Sequence, residues 1–129
     1  LQKRAASKYH SGGLWTNACC GHPRPDEPVA DAAQRRLGEE MGFSCPLEWL
    51  GTVQYHAAFD NGLSEHEIVH VFRGRYDGPL QPDPAEAEDY RWSSIEEIRS
   101  DIAAEPDRFS VWYLRYIAEE WPMALMPPR

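Results

Sequence analysis

The segment 21–43 constrains this chain more than any other, because a proline-rich turn there runs into an amphipathic helix that stops on a glycine. Pro23, Pro25 and Pro28 keep the turn out of regular structure, and Pro28 stands at a helix start, where a missing N–H costs no internal hydrogen bond. Val29, Ala32, Ala33, Leu37 and Met41 then recur at helical spacing, and Gly42 supplies the stop. The spacing predicts a helix over 29–41. Carboxylates on successive turns of such a helix, facing a loop, can hold a hard divalent cation. With nothing else around them, Glu39 and Glu40 would read as a solvated helix face.

Around this helix, 129 residues give room for one domain with an ordinary core and not for two. Residues 1–7 read as the middle of a strand and turn, so the expectation is a single domain over 1–129 whose N-terminal part precedes Leu1. Ser11-Gly12-Gly13 is a loop, and the apolar run 14–20 suits a strand. Two strands, 49–58 and 65–76, flank a loop containing Asp60-Asn61-Gly62. In the second strand Glu65, Glu67, Val69 and Val71 share one face, and His66, Ile68, His70 and Phe72 the other. A short strand over 90–92 and helices over 95–104 and 110–121 follow. Val111, Leu114, Ala118 and Trp121 form the expected core stripe of the last helix.

Net charge is −8, which argues against a nucleic-acid surface, and no stretch approaches the roughly 20 apolar residues of a membrane span. The charge is uneven. Residues 1–25 hold Lys3, Arg4, Lys8 and Arg24 with no acid, whereas the other 104 residues hold nine basic against 21 acidic side chains. A small anionic ligand suits that basic start. Three cysteines, two of them adjacent, make no disulfide framework and point to a reducing, cytoplasmic setting.

The segment 21–43 also resembles the Nudix signature Gx5Ex7REUxEExGU, with Gly21, Glu27, Arg35, Leu37, Glu39, Glu40, Gly42 and Phe43 on its fixed positions. Arg36 departs from it, standing where the signature has the first Glu of its REUxEE core. The resemblance implies a Nudix-like α/β fold, a mixed sheet between helices.

The run Trp15-Thr16-Asn17-Ala18-Cys19-Cys20-Gly21-His22-Pro23, with Tyr55 and Glu65-His66-Glu67 downstream, narrows this to type I isopentenyl diphosphate isomerase, which the chain resembles from Arg4 to the last helix. That family converts isopentenyl to dimethylallyl diphosphate through a tertiary carbocation. The resemblance puts the catalytic thiol at Cys20, and a thiol is polarisable with an ordinary pKa of about 8.5, near working pH. It makes Glu67, assisted by Tyr55, the other proton-exchanging group. His22, Glu65 and Glu67 become ligands of a divalent metal, Zn2+, Mn2+ or Mg2+, and Glu40 the carboxylate that holds Mg2+ against the diphosphate. Arg4, Lys8 and Arg36 match positions that grip the diphosphate, and Trp112 matches an aromatic facing the cation.

Each residue also has a plainer reading. A free cysteine is usually a small buried hydrophobe, the reading preferred for Cys45; an acidic pair at a strand start is usually solvated; and Trp112 could simply pack beside the core stripe. The family draws two further histidine ligands from a segment that would precede Leu1, and His10 is not assigned in their place. A metal site with three ligands out of five should bind loosely, so the chain alone is expected to fold marginally and to isomerise little. Two other readings stand beside the isomerase: a Nudix hydrolase of a nucleoside diphosphate derivative, weakened by Arg36, and a non-catalytic diphosphate-binding module. The partner in each case is a small-molecule diphosphate, with no nucleic acid or membrane; oligomeric state stays open.

Overall fold

The computed structural model describes residues 1–8, 10–58, 62 and 64–118, and for Tyr55, Ala57, Glu65, His66 and Glu67 the backbone alone. Strands β1 (Gln2–Arg4), β2 (Trp15–Thr16) and β5 (Ala87–Tyr90) form one sheet in the order β2-β1-β5; β3 (Leu47–Ala58) and β4 (Ser64–Gly74) form a long hairpin. Three helices complete the described chain: α1 (Val29–Met41), α2 (Ile95–Ala104) and α3 (Val111–Ala118), with a short 3-10 turn at Pro106–Arg108. Both sheets are antiparallel ladders, with one isolated parallel bridge from Trp15 to Phe109, and together with the helices they give the α/β class expected. None of these helices is long and apolar enough to cross a membrane.

Helix α1 forms where its sequence dictates. Ala32, Leu37 and Met41 are buried along the predicted stripe, and so is Glu40. Gly42 ends the helix at φ 72°, its N–H donating to the Gly38 carbonyl at 3.1 Å. A β-carbon there would run into the Gln81 backbone, which is fixed because the Gln81 N–H donates to the Met41 carbonyl. Gly42→Ala therefore meets a left-handed backbone and a close approach together, and should cost about 2–4 kcal/mol in a denaturant melt. A loss under 0.5 kcal/mol would show that the joint relaxes freely.

Three expectations shift. The strand expected over 14–20 survives only as Trp15–Thr16, because the Asn17 side chain donates to the Cys19 carbonyl at 2.6 Å and turns the chain out of the extended path. The strand expected over 90–92 begins earlier, at Ala87, where β1 pairs Gln2 with Tyr90, Lys3 with Asp89 and Arg4 with Ala87. In α3 the buried face is Trp112, Tyr113 and Tyr116, whereas Val111 is 42% exposed and Ala118 is exposed. The helix start is pinned by Ser110, whose N–H donates to the Trp15 carbonyl at 2.9 Å and whose hydroxyl donates to Thr16 at 2.8 Å, and this sets the rotation. Trp121 lies outside the described residues.

Two apolar clusters result. One gathers Val53, Ile98, Phe109, Trp112, Tyr113 and Tyr116, with Cys20, Val69 and Val71 against it; the other gathers Leu37, Met41 and Ala87, with Cys19, Phe43 and Leu47 against it. The loop after β2 runs between them.

Candidate functional site

Adjacent thiols separate at that loop. Cys20 is half-buried against the Trp112 cluster, and Cys19 goes the other way, toward α1. Burial pushes the Cys19 thiol far up, and the Glu40 carboxylate beside it pushes it further, so Cys19 stays protonated. Asn17 fixes the arrangement. Its Oδ1 accepts from the Trp112 indole Nε1 at 3.1 Å and from the Thr16 hydroxyl at 2.8 Å, while its Nδ2 holds the Cys19 carbonyl. One amide thus ties the aromatic ring to the loop that carries both cysteines.

On the basic side, Arg4 is buried with its guanidinium carbon 5.0 Å from the Trp112 ring centroid. Its Nη2 donates to the His10 carbonyl at 3.3 Å, and its Nε is buried without a hydrogen-bond partner. Lys8 and Arg36 meet on Glu86, at 2.8 and 3.1 Å. Arg36 also donates to Glu39 at 2.5 Å and lies 3.6 Å from Glu40. Burial would push the Glu86 carboxyl up, but the Lys8 hydrogen bond and the Arg36 charge outweigh it and hold it below the usual carboxylate range. An open cavity of about 1270 Å³ is lined by Arg4, Lys8, Cys20, His22, Arg36 and Trp112 among others, so six of the expected site residues share one space.

Glu40 is 1% exposed. Burial pushes its carboxyl up, and Arg36 together with hydrogen bonds from Cys19 and Gln2 offsets only part of that. Oε1 accepts from Gln2 Nε2 at 3.4 Å, whereas Oε2 is buried with no hydrogen-bond partner. The Arg36 Nη2 lies 3.6 Å from that same Oε2, beyond hydrogen-bond reach, and a bound cation would supply the close partner it lacks.

Glu27 and Arg35 of the signature brace the loop, and Arg35 also lines the cavity. Arg35 donates to both Glu27 oxygens at 2.9 and 3.0 Å, to Glu39 at 3.1 Å and to the carbonyl of the exposed His22 at 3.2 Å. The Arg35 hydrogen bond, helped by the Arg24 backbone N–H, lowers the Glu27 carboxyl to about 2 from an ordinary 4.5. A depressed folded value means that this pair supports folding fully above about pH 4.5 and ceases to do so as pH falls toward about 2. Melting temperature should therefore drop more steeply through that window in the parent than in Glu27→Gln; parallel curves would refute the coupling.

The side chains of Tyr55, Glu65 and Glu67 lie outside what the structure describes. Their backbones do not: Tyr55 stands directly opposite Glu67 in the β3–β4 ladder, and Ala57 opposite Glu65. Among the side chains described, which do not include those of Glu65 and Glu67, no three of His, Cys, Asp or Glu are grouped to hold a metal.

Sequence reasoning missed Asn17 and Glu86. Asn17 lay in plain view inside the Trp15–Pro23 run, and its carbonyl-and-amide chemistry was the available signal. Glu86 is one acid in an acidic, proline-containing loop, and nothing local distinguishes it; only the β1–β5 pairing brings it to Lys8.

The NUDIX domain pattern matches residues 1–113 of this chain. The isopentenyl-diphosphate Delta-isomerase of Burkholderia multivorans is 53% identical over 113 residues, covering 88% of this chain and 64% of that protein. Isopentenyl-diphosphate Delta-isomerase 2 of Photorhabdus laumondii subsp. laumondii is 49% identical, over 94% of this chain and 72% of its own length. The isopentenyl-diphosphate Delta-isomerase of Rhodobacter capsulatus is 44% identical, over 99% and 74%. The chain thus spans a little under two thirds of the first of these relatives and somewhat more of the other two.

Proposed function

Because the chain belongs to the NUDIX domain family, and within it to the isopentenyl-diphosphate Delta-isomerases, we propose that it interconverts isopentenyl and dimethylallyl diphosphate. One observation carries the reading: Cys20 and Trp112 line the same cavity as the cations Arg4, Lys8 and Arg36, a thiol and an aromatic in one space with groups suited to a diphosphate.

In this reading Lys8 and Arg36 grip the diphosphate from one side and Arg4 reaches it from beside Trp112; the unpartnered Arg4 Nε is a donor suited to a phosphate oxygen. Protonation of the terminal alkene carbon creates a tertiary cation, and loss of a proton from the carbon nearer the diphosphate completes the shift. Cys20 serves one of these transfers and Glu67, with Tyr55, the other. The π face of Trp112 stabilises the cation by about 0.5–2 kcal/mol. Its apolar neighbours keep water away from it.

The family fits divalent metals, and the residues here suit them. Glu40, with its unsatisfied buried oxygen, would hold Mg2+ at the diphosphate, and His22, Glu65 and Glu67 offer the imidazole and carboxylate donors for a second ion, Zn2+, Mn2+ or Mg2+. Held by Glu40, Mg2+ would supply charge neutralisation for the diphosphate. We take residues 1–129 as one Nudix-like domain.

The test is incubation of the protein with isopentenyl diphosphate in D2O, followed by NMR. Dimethylallyl diphosphate carrying one deuterium in a methyl group is expected. Release of phosphate instead, or cleavage of members of a nucleoside diphosphate panel, would replace the isomerase with a hydrolase. Glu67→Gln keeps the side-chain shape but cannot exchange the proton, and should lower turnover by about 10²-fold or more. A fully active variant with intact metal content would remove Glu67 from the mechanism.

A further inference from the structure

Lys8 and Arg36 supply two of the cations assigned to the diphosphate, and both turn onto one oxygen of one carboxylate, Glu86 Oε2, at 2.8 and 3.1 Å. We infer that Glu86 is a positioning residue for diphosphate binding, holding the Lys8 ammonium and the Arg36 guanidinium side by side before the ligand arrives. The inference rests on the isomerase reading for its substrate and adds a residue that the signature does not contain.

The backbone around Glu86 is built for such a role. Its carbonyl accepts from the Ala5 N–H at 3.0 Å, and its own N–H donates to the Asp83 carbonyl at 2.9 Å. The Asp83 N–H in turn donates to the Glu40 carbonyl at 3.0 Å, and the Gln81 N–H to the Met41 carbonyl at 3.1 Å. Glu86 is therefore tied to the end of β1 on one side and to the last turn of α1 on the other. Those are the elements that deliver the two cations, since Lys8 turns back onto Ala5 through its N–H at 3.1 Å and Arg36 lies on α1.

Two long cationic side chains brought this close repel each other, and ordering them at the moment of binding costs rotamer freedom. A shared carboxylate removes the repulsion and fixes both heads in advance. An ammonium has three donors and Glu86 takes one, so Lys8 can hold Glu86 and a phosphate oxygen together. An ordinary half-buried ion pair would contribute to folding and leave ligand binding alone, and the two roles separate experimentally.

The probe is inorganic pyrophosphate with Mg2+, titrated calorimetrically into the parent, Glu86→Gln, Lys8→Met and the double variant. Glu86→Gln is expected to weaken pyrophosphate about tenfold, as loss of a charge-assisted hydrogen bond does, with a melting temperature moved by about 3 °C or less. Lys8→Met should cost clearly less in the Glu86→Gln background than in the parent, because Lys8 is already misplaced there. In turnover assays KM should rise by more than kcat falls. Glu86→Asp, one methylene shorter, should fall between parent and Glu86→Gln and serves if the latter folds poorly. Additive losses, or pyrophosphate binding that is unchanged or tighter without the Glu86 carboxylate, overturn the inference. A parent that binds pyrophosphate without isomerising counts against the isomerase reading alone, and the binding cycle still decides Glu86.

Discussion

Cys20→Ala is expected to lower isopentenyl diphosphate turnover by about 10³-fold while leaving a folded protein, because in the proposed mechanism the thiol acts on a proton and its removal leaves only a small gap. Cys20 is half-buried at the margin of the Trp112 cluster, so losing one sulfur should cost about 1 kcal/mol of stability. The neighbouring residue provides the control. Cys19 faces the α1 cluster and Glu40, its thiol held protonated, and Cys19→Ala should retain turnover within about tenfold of the parent. Stopped assays on both variants decide the matter: equal losses at the two positions, or parental turnover without Cys20, would remove the assignment.

Glu40→Gln should abolish Mg2+-dependent pyrophosphate binding, weakening it by about 10²-fold or more, without harming the fold. The side chain is buried and its ionised form is disfavoured there. A carboxyl whose folded pKa is raised supports folding below its unfolded value, and that support is lost as pH rises through the folded value. Replacing it with a neutral isostere should thus leave the melting temperature at neutral pH equal to or above that of the metal-free parent. Arg36 keeps Glu39 and Glu86 as counter-ions in the variant. Added Mg2+ with pyrophosphate should then raise the melting temperature of the parent and not of the variant. A variant that melts several degrees lower without metal, or that still responds to Mg2+, would contradict a cation-holding role.

Helix α1 was legible from sequence because every local signal agreed: a proline at its start, a 3.6-residue apolar period and a glycine past its end. The faces of β4 were legible where they are described, with Val69 and Val71 against the core and Ile68 66% exposed. The α3 face was not. Its period favoured Val111, yet the buried residue is Trp112 at 3% exposure, because the partners that set the helix rotation, Thr16 for Ser110 and Asn17 for Trp112, lie 94 and 95 positions away. Within the site, residue types and their cavity could be anticipated, but their contacts could not. Arg4 and Trp112 were assigned separately to the substrate, and nothing local said that one lies over the other at 5.0 Å. Glu86 stayed hidden for the same reason, since long-range pairing alone gives it its partners.

The residues proposed for the two proton transfers stand on separate ladders. Among the described residues no strand pairing links the β3–β4 hairpin, which carries Tyr55 and Glu67, to the β2-β1-β5 sheet, whose strands lead into the Cys20 loop and Lys8. Backbone hydrogen bonds set distances in fixed increments, whereas interdigitated side chains can be adjusted a methyl group at a time. In the proposed reaction, the span between Cys20 and Glu67 would then depend on Val53, Val69 and Val71, which pack into the α3 cluster. Trimming or enlarging those valines would reset which alkene length fits between thiol and carboxylate without altering a single group that does chemistry.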